Sequence, residues 1–166
     1  YMEKIRVGGI IDNSLANGKG LRMVLFLSGC LHKCEGCHNK ELQDFDFGVD
    51  MTEEEIFARI EKNAGVIKGI TLSGGDPMEQ PAKLINLCRK IRALDLDIWC
   101  YTGYSFEEVL KSEEKLALLK EVDVLVDGRF DLKFKSEKVK YRGSSNQRII
   151  DVKESLKTNE IVEIIF

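Results

Sequence analysis

The sequence predicts an α/β fold in which mostly parallel strands are joined by crossover helices, as an open sheet or as a complete or partial barrel. Three observations carry this reading. Apolar runs with strand character recur along the chain, and helical patterns with recognisable start signals separate them. Pieces rich in Gly, Ser and Cys follow the runs on one side only.

The strand-like runs cover residues 22–27, 66–72, 97–101 and 122–126. Between them, Thr52 with Glu55 forms a capping box that opens a helix to about Asn63, and Ser105 with Glu108 repeats the device before Val109 and Leu110. Pro81 suits the first turn of another helix, where Leu84, Ile85, Leu87, Cys88 and Ile91 follow a 3.6-residue spacing. The final segment, residues 160–165, reads as a closing or edge strand. In folds of this kind, ligands bind where the carboxyl ends of the strands and their loops converge. There the four runs lead into Ser28-Gly29-Cys30, Ser73-Gly74-Gly75-Asp76-Pro77, Thr102-Gly103-Tyr104 and Asp127-Gly128-Arg129-Phe130.

The 166 residues contain no linker and no internal repeat, so a single domain over residues 1–166 is expected. Hydrophobic residues at 43% and charged residues at 32% describe a globular chain rather than a disordered one. No apolar run reaches the roughly 18 residues of a membrane helix. The net charge of −3 argues against nucleic acid as the main partner. No basic segment leads into an apolar one at the N-terminus, so secretion is not indicated and a cytoplasmic location is expected. Tyr1, ahead of Met2, is set aside as an addition before the start.

Of the five cysteines, Cys30, Cys34 and Cys37 crowd into one short stretch, which in a cytoplasmic chain points to metal or redox chemistry. Three thiolates on one loop suit an iron-sulfur cluster or zinc. No fourth cysteine is nearby. A structural zinc site or an electron-transfer cluster usually takes four protein ligands, whereas three ligands on a four-iron cluster leave one iron open for chemistry. Other readings of the same residues are a zinc site completed by His32 or His38, an electron-transfer cluster completed by Cys88 or Cys100, and a chance grouping of thiols. Cys88 on a helix face and Cys100 in a strand read as small core residues. The glycines of Ser73-Gly74-Gly75-Asp76 allow close approach of backbone to a ligand, although the same stretch also suits a plain turn in which Asp76 caps a helix.

Taken together, these stretches resemble the radical S-adenosylmethionine enzymes. Within them, the chain is similar to the family of activating proteins of the anaerobic ribonucleoside-triphosphate reductase. The resemblance runs through Asn17-Gly18-Lys19-Gly20-Leu21-Arg22, the cysteine loop to Lys40, Leu72 to Pro77, Trp99 to Tyr104, Val124 to Phe130 and Arg142-Gly143-Ser144-Ser145-Asn146-Gln147-Arg148. It departs at Lys19, where relatives often carry proline, and beside Cys37, where Gly36 and His38 stand in place of the usual aromatic contact to adenine.

The resemblance implies a partial (β/α) barrel of the radical S-adenosylmethionine type and a 4Fe-4S cluster on Cys30, Cys34 and Cys37. It implies S-adenosylmethionine lying along Gly36, Cys37 and His38, its methionyl end held by Ser73, Gly74, Gly75 and Asp76, with Thr102 lining the pocket. The implied activity is reductive cleavage to a 5′-deoxyadenosyl radical that generates a glycyl radical on the reductase. No side-chain general acid or base is expected, because the cofactor carries the chemistry. The basic residues Lys133, Lys135, Lys138, Lys140 and Arg142 suit docking of the reductase or of an acidic electron donor such as flavodoxin, and equally suit protection of an exposed edge strand. No role for Gly143 to Arg148 follows from the residues alone. Rival functions are activation of another glycyl-radical enzyme, radical chemistry on a free metabolite such as a deazaguanine precursor, and a non-catalytic iron-sulfur or zinc module.

Overall fold

A computed structural model describes residues 4–37, 39–136 and 139–166. Its strands are β1 (Lys4–Ser14), β2 (Arg22–Leu27), β3 (Val49–Thr52), β4 (Gly69–Gly74), β5 (Asp97–Tyr101), β6 (Val124–Asp127) and β7 (Arg148–Asp151). The helices are α1 (Glu53–Asn63), α2 (Pro81–Ala93), α3 (Phe106–Leu110), α4 (Glu113–Leu119) and α5 (Val152–Thr158). One seven-stranded sheet has the order β3-β1-β2-β4-β5-β6-β7.

The central strands β2, β4, β5 and β6 pair in parallel. β1 runs antiparallel to β2 and to β3, and β7 antiparallel to β6, so the mixed sheet is parallel at its centre only. Among the described residues the ladder ends at β3 and β7, so the sheet is open and no barrel closes.

Local sequence signals account for the helices. Thr52 Oγ1 accepts from Glu55 N while Glu55 accepts from Thr52 N, and Ser105 and Glu108 form the same reciprocal pair at α3. Pro81 occupies the first turn of α2, whose Leu84, Leu87, Cys88 and Ile91 are buried against the sheet, with Ile85 only partly covered. The core joins this face to Leu25, Leu27, Ile70, Leu72, Ile98 and Leu125 of the central strands. The expected strand over 66–72 begins later, at Gly69, because Val66 lies in a turn and is exposed. Residues 160–165 run beside β7 through two backbone hydrogen bonds and one bridge, without forming a full strand.

Arg22 opens β2 as a fully buried cation. Its guanidinium donates to Thr71 Oγ1 at 2.8 Å, Lys19 O at 3.0 Å and Ile70 O at 2.9 Å, and pairs with Asp97 Oδ1 at 2.5 Å. Such a charge is tolerable in the interior only with its partners in place. Thr71 Oγ1 in turn donates to Asn17 O at 2.6 Å, so the turn before β2 is anchored to the sheet.

Candidate functional site

The four parallel strands all end on one side, and their outgoing loops meet there. The loop after β2 carries the three cysteines. Its start is fastened by Gly29 N donating to Leu42 O at 2.7 Å and Cys30 N to Gln43 O at 3.2 Å. Its end is fastened by Asn39 Nδ2 donating to Gly74 O at 3.3 Å. The loop after β4 packs beneath it, with Gly75 N donating to Leu27 O and Asp76 N to Gly29 O, each at 2.8 Å. A Cβ on Gly75 would fall 2.3 Å from Leu42 O and 2.5 Å from Gly29 O, so only glycine lets these two backbones touch.

Cys30, Cys34 and Cys37 are free, half-buried thiols that open on one cavity of about 380 Å³. Ser73, Gly74, Gly75 and Thr102 line the same cavity, so most of the site residues expected from sequence come together in space. Gly36 is not among its lining residues; a left-handed φ of 73° holds it against Leu132 and Phe130 at the rim. His38 lies outside the described residues.

Asp76 is placed differently from the expectation. It is fully buried, and both carboxylate oxygens are committed within the protein. Oδ1 accepts from Met78 N at 2.9 Å, which caps the short turn Pro77–Glu79. Oδ2 accepts from Gly103 N at 3.0 Å and from His32 Nε2 at 2.8 Å, while the Thr102 hydroxyl donates across both oxygens at 2.9 and 3.0 Å. Asp76 therefore supports the cavity wall from behind instead of facing a ligand, and the turn-capping role is the one it fills.

His32 completes this support and was not singled out from sequence, where it figured only as a possible zinc ligand. Arg129 Nε donates to His32 Nδ1 at 3.1 Å, so Nδ1 is unprotonated and the opposite N–H is the one given to Asp76. The ring also packs edge-on against Tyr104 at 4.5 Å. A ring nitrogen of His32, the Cys30 sulfur and an Asp76 oxygen lie within 4.8 Å of one another, and both ring nitrogens are engaged in the hydrogen bonds just described. Cys88 and Cys100 are fully buried in the core and do not line the cavity, so neither of them joins the three cysteines there.

The donor set fits an iron-sulfur cluster. Burial pushes the Cys30 thiol up to about 11, and Asp76 and the two neighbouring sulfurs add to the rise against an opposing hydrogen bond from the His32 backbone. Burial also raises Cys34, with Cys37 contributing next. Sulfurs that discourage one another's ionisation become thiolates together when a cation neutralises them, with release of their protons.

The opposite wall joins the loop after β6 to the 142–148 stretch, whose role was not evident from sequence. Gln147 Oε1 accepts from Gly143 N at 2.9 Å and Ser144 N at 3.1 Å, while its Nε2 donates to Gly128 O at 2.9 Å. Arg148 binds both oxygens of the buried Asp127, which also accepts from Phe106 N at 2.7 Å. The segments 127–130 and 142–148 are thus one hydrogen-bonded unit that places Gly128, Phe130, Gly143 and Gln147 along the cavity.

An α/β sheet with three cysteines at the carboxyl ends of its parallel strands defines a protein that carries one iron-sulfur cluster, and residues 16–150 match the family described as a 4Fe-4S single cluster domain. Relatives are similar over most of their length. The anaerobic ribonucleoside-triphosphate reductase-activating protein of Enterobacteria phage T4 is 39% identical over 80% of this chain and 85% of its own. Those of Vibrio cholerae and Escherichia coli K12 are 39% and 37% identical, each over 90% of its own length and 81% and 80% of this chain. The chain belongs to the family of anaerobic ribonucleoside-triphosphate reductase-activating proteins. Its fold is also similar to the crystal structure of QueE from Escherichia coli, with a TM-score of 0.51 and 16% identity over 60% of this chain and 52% of that one. Among the described residues no helix is long and apolar enough to cross a membrane.

Proposed function

We propose that this chain activates an anaerobic ribonucleoside-triphosphate reductase, holding a 4Fe-4S cluster on Cys30, Cys34 and Cys37 and S-adenosylmethionine in the cavity beside it. One observation carries the reading: three cysteines, with no fourth cysteine among the described residues that line it, open on a cavity whose floor is the glycine loop after β4. Its volume of about 380 Å³ lies within the range of small-molecule sites. When bound and reduced, the cluster supplies the electron that splits S-adenosylmethionine into methionine and a 5′-deoxyadenosyl radical, which takes a hydrogen atom from a glycine of the reductase.

The protein's own residues bind, orient and exclude water. Ser73, Gly74 and Gly75 flank the methionyl end, and Thr102 closes the wall, its hydroxyl fixed on Asp76. Gly36, at the rim, lies toward the adenine, and Phe130 supplies apolar cover. No side chain serves as a proton donor or acceptor. The open face leaves room for a protein substrate, so the partner completes the enclosure that keeps water from a reactive site. The chain acts as one domain in the cytoplasm, its sheet curved as a partial (β/α) barrel of the radical S-adenosylmethionine type, and draws electrons from an acidic donor such as flavodoxin.

Anaerobic reconstitution tests this reading. Iron and sulfide in the ratio of a 4Fe-4S cluster are expected, with release of 5′-deoxyadenosine on addition of dithionite and S-adenosylmethionine. Zinc without iron, or a cluster that releases no 5′-deoxyadenosine, would refute it.

A further inference from the structure

Each of the three cysteine sulfurs accepts a backbone N–H, and the donors differ in origin. Cys37 Sγ accepts from Asn39 N at 3.4 Å, and the Cys30 sulfur accepts from the backbone of His32. Each of these donors lies two positions beyond the sulfur it serves, so the cysteine loop provides them by its own turns. Cys34 differs: besides its own N–H, its sulfur accepts from the backbone of Phe130, in the loop after β6. A separate part of the chain therefore reaches across to one cysteine of the three.

The residue before Phe130 adds a charge to this contact. Arg129 borders the same flanking cavity as Cys34, of about 750 Å³, and its guanidinium favours the ionised form of that sulfur. Its Nε also donates to His32 Nδ1 at 3.1 Å, so the residue whose backbone serves Cys30 is held by the same side chain. The loop that carries Arg129 is fastened from behind: Asn146 Nδ2 donates to Arg129 O at 3.0 Å, Asp131 N to Ser144 Oγ at 3.1 Å, and Gly128 N to Tyr104 O at 3.2 Å. On its near side the loop packs on the cysteine loop. A Cβ on Gly36 would fall 2.9 Å from Leu132 Cδ1 and 3.4 Å from Phe130 Cε2.

We infer that Arg129 is a positioning residue that raises the reduction potential of the cluster held on Cys30, Cys34 and Cys37. The inference rests on the proposed function and adds what makes entry of the electron favourable. Reduction brings in one electron, given up by the reductant, and so adds one negative charge at a site already walled by three thiolates. Hydrogen bonds to the sulfurs, net charge and solvent exposure are the means by which a protein moves that equilibrium. Arg129 supplies two of them. Its guanidinium is a cation beside Cys34, and its hold on the His32 ring fixes the backbone donor on Cys30. Both favour the more negative, reduced form. Because Arg129 is exposed on the flank, solvent and salt screen part of its charge, which keeps the effect moderate.

The test is an anaerobic redox titration of the reconstituted protein, without S-adenosylmethionine or reductase, in which the reduced cluster is followed by electron paramagnetic resonance. Arg129→Met should keep the iron content of the parent chain. Its equilibrium constant for reduction should fall about fivefold, a drop of about 40 mV for a one-electron couple. Arg129→Lys, which keeps the charge, should stay within about twofold of the parent. Lys133→Met, which removes a cation from the same flank, should also stay within about twofold. An unchanged potential in Arg129→Met, or loss of its iron, overturns the inference. So does an equal drop in Arg129→Lys or in Lys133→Met, since the effect would then not belong to the charge at this position. A parent chain that takes up zinc and no iron would defeat the proposed function itself, a separate outcome.

Discussion

Replacing Asp76 by Asn separates a supporting carboxylate from one that touches a ligand. The side chain is fully buried, and the neutral amide has nearly the same shape. Asn can keep one oxygen for Met78 N and the Thr102 hydroxyl, now at 2.9 Å each. Its amide group would then confront the N–H groups of Gly103 and His32, which now donate at 3.0 and 2.8 Å. Hydrogen bonds to a charged acceptor contribute about 1.5–3 kcal/mol each, and leaving a buried donor unmatched costs a similar amount. With two donors lost and partial relaxation, Asp76→Asn should destabilise the apoprotein by about 2–4 kcal/mol. Asp76→Ala, which strands every donor, should cost about 3–5 kcal/mol. The assay is anaerobic urea unfolding of the reduced apoprotein, with the rate of thiol labelling at Cys30 followed in parallel. Loss of the His32 tether should speed that labelling. An Asn variant within about 0.5 kcal/mol of the parent, with unchanged labelling and weakened S-adenosylmethionine binding, would refute the reasoning and return Asp76 to the ligand wall.

Other substitutions probe the remaining parts of the site. Gly75→Ala forces a Cβ to within 2.3 Å of Leu42 O, and should cost about 2–3 kcal/mol in urea unfolding and lower the iron bound per chain. Cys34→Ala should abolish cluster binding and cofactor cleavage together. Cys88→Ala, in the core, should retain both by iron analysis and lose only about 1–2 kcal/mol of stability. Arg22→Met removes the buried cation and the donors to three backbone carbonyls, those of Lys19, Ile70 and Asp97, beside the Asp97 carboxylate. Since Asp97 retains some solvent, a loss of about 2–4 kcal/mol is expected in the same unfolding measurement.

The parts of the fold that were legible in sequence are those where one local signal suffices. β2 and β5 are short apolar runs buried on both faces, and both capping boxes place a helix start to the residue. β1 was not legible because it is partly exposed, carries Gly8 and Gly9 in its middle, and pairs through register shifts. β3 and β7 are four-residue edge strands whose existence depends on partners far along the chain. The cysteines and the glycine loop could be read because spacing and residue type carry their chemistry. The His32–Asp76–Thr102 network could not, since its three members are spread over 70 positions of chain and only folding brings them to hydrogen-bond distance. The same holds for Gln147 with Gly128 and for Arg148 with Asp127, whose pairing gives the polar 142–148 stretch its purpose.

The most direct test is electron paramagnetic resonance of a mixture containing the reconstituted chain, dithionite, S-adenosylmethionine and the anaerobic reductase. A glycyl-radical signal on the reductase is expected with the parent chain and should be absent with Cys34→Ala. A silent spectrum from a parent chain that releases 5′-deoxyadenosine would contradict the assignment of the reductase as substrate. A signal that survives Cys34→Ala would contradict the three-cysteine cluster on which everything else is built.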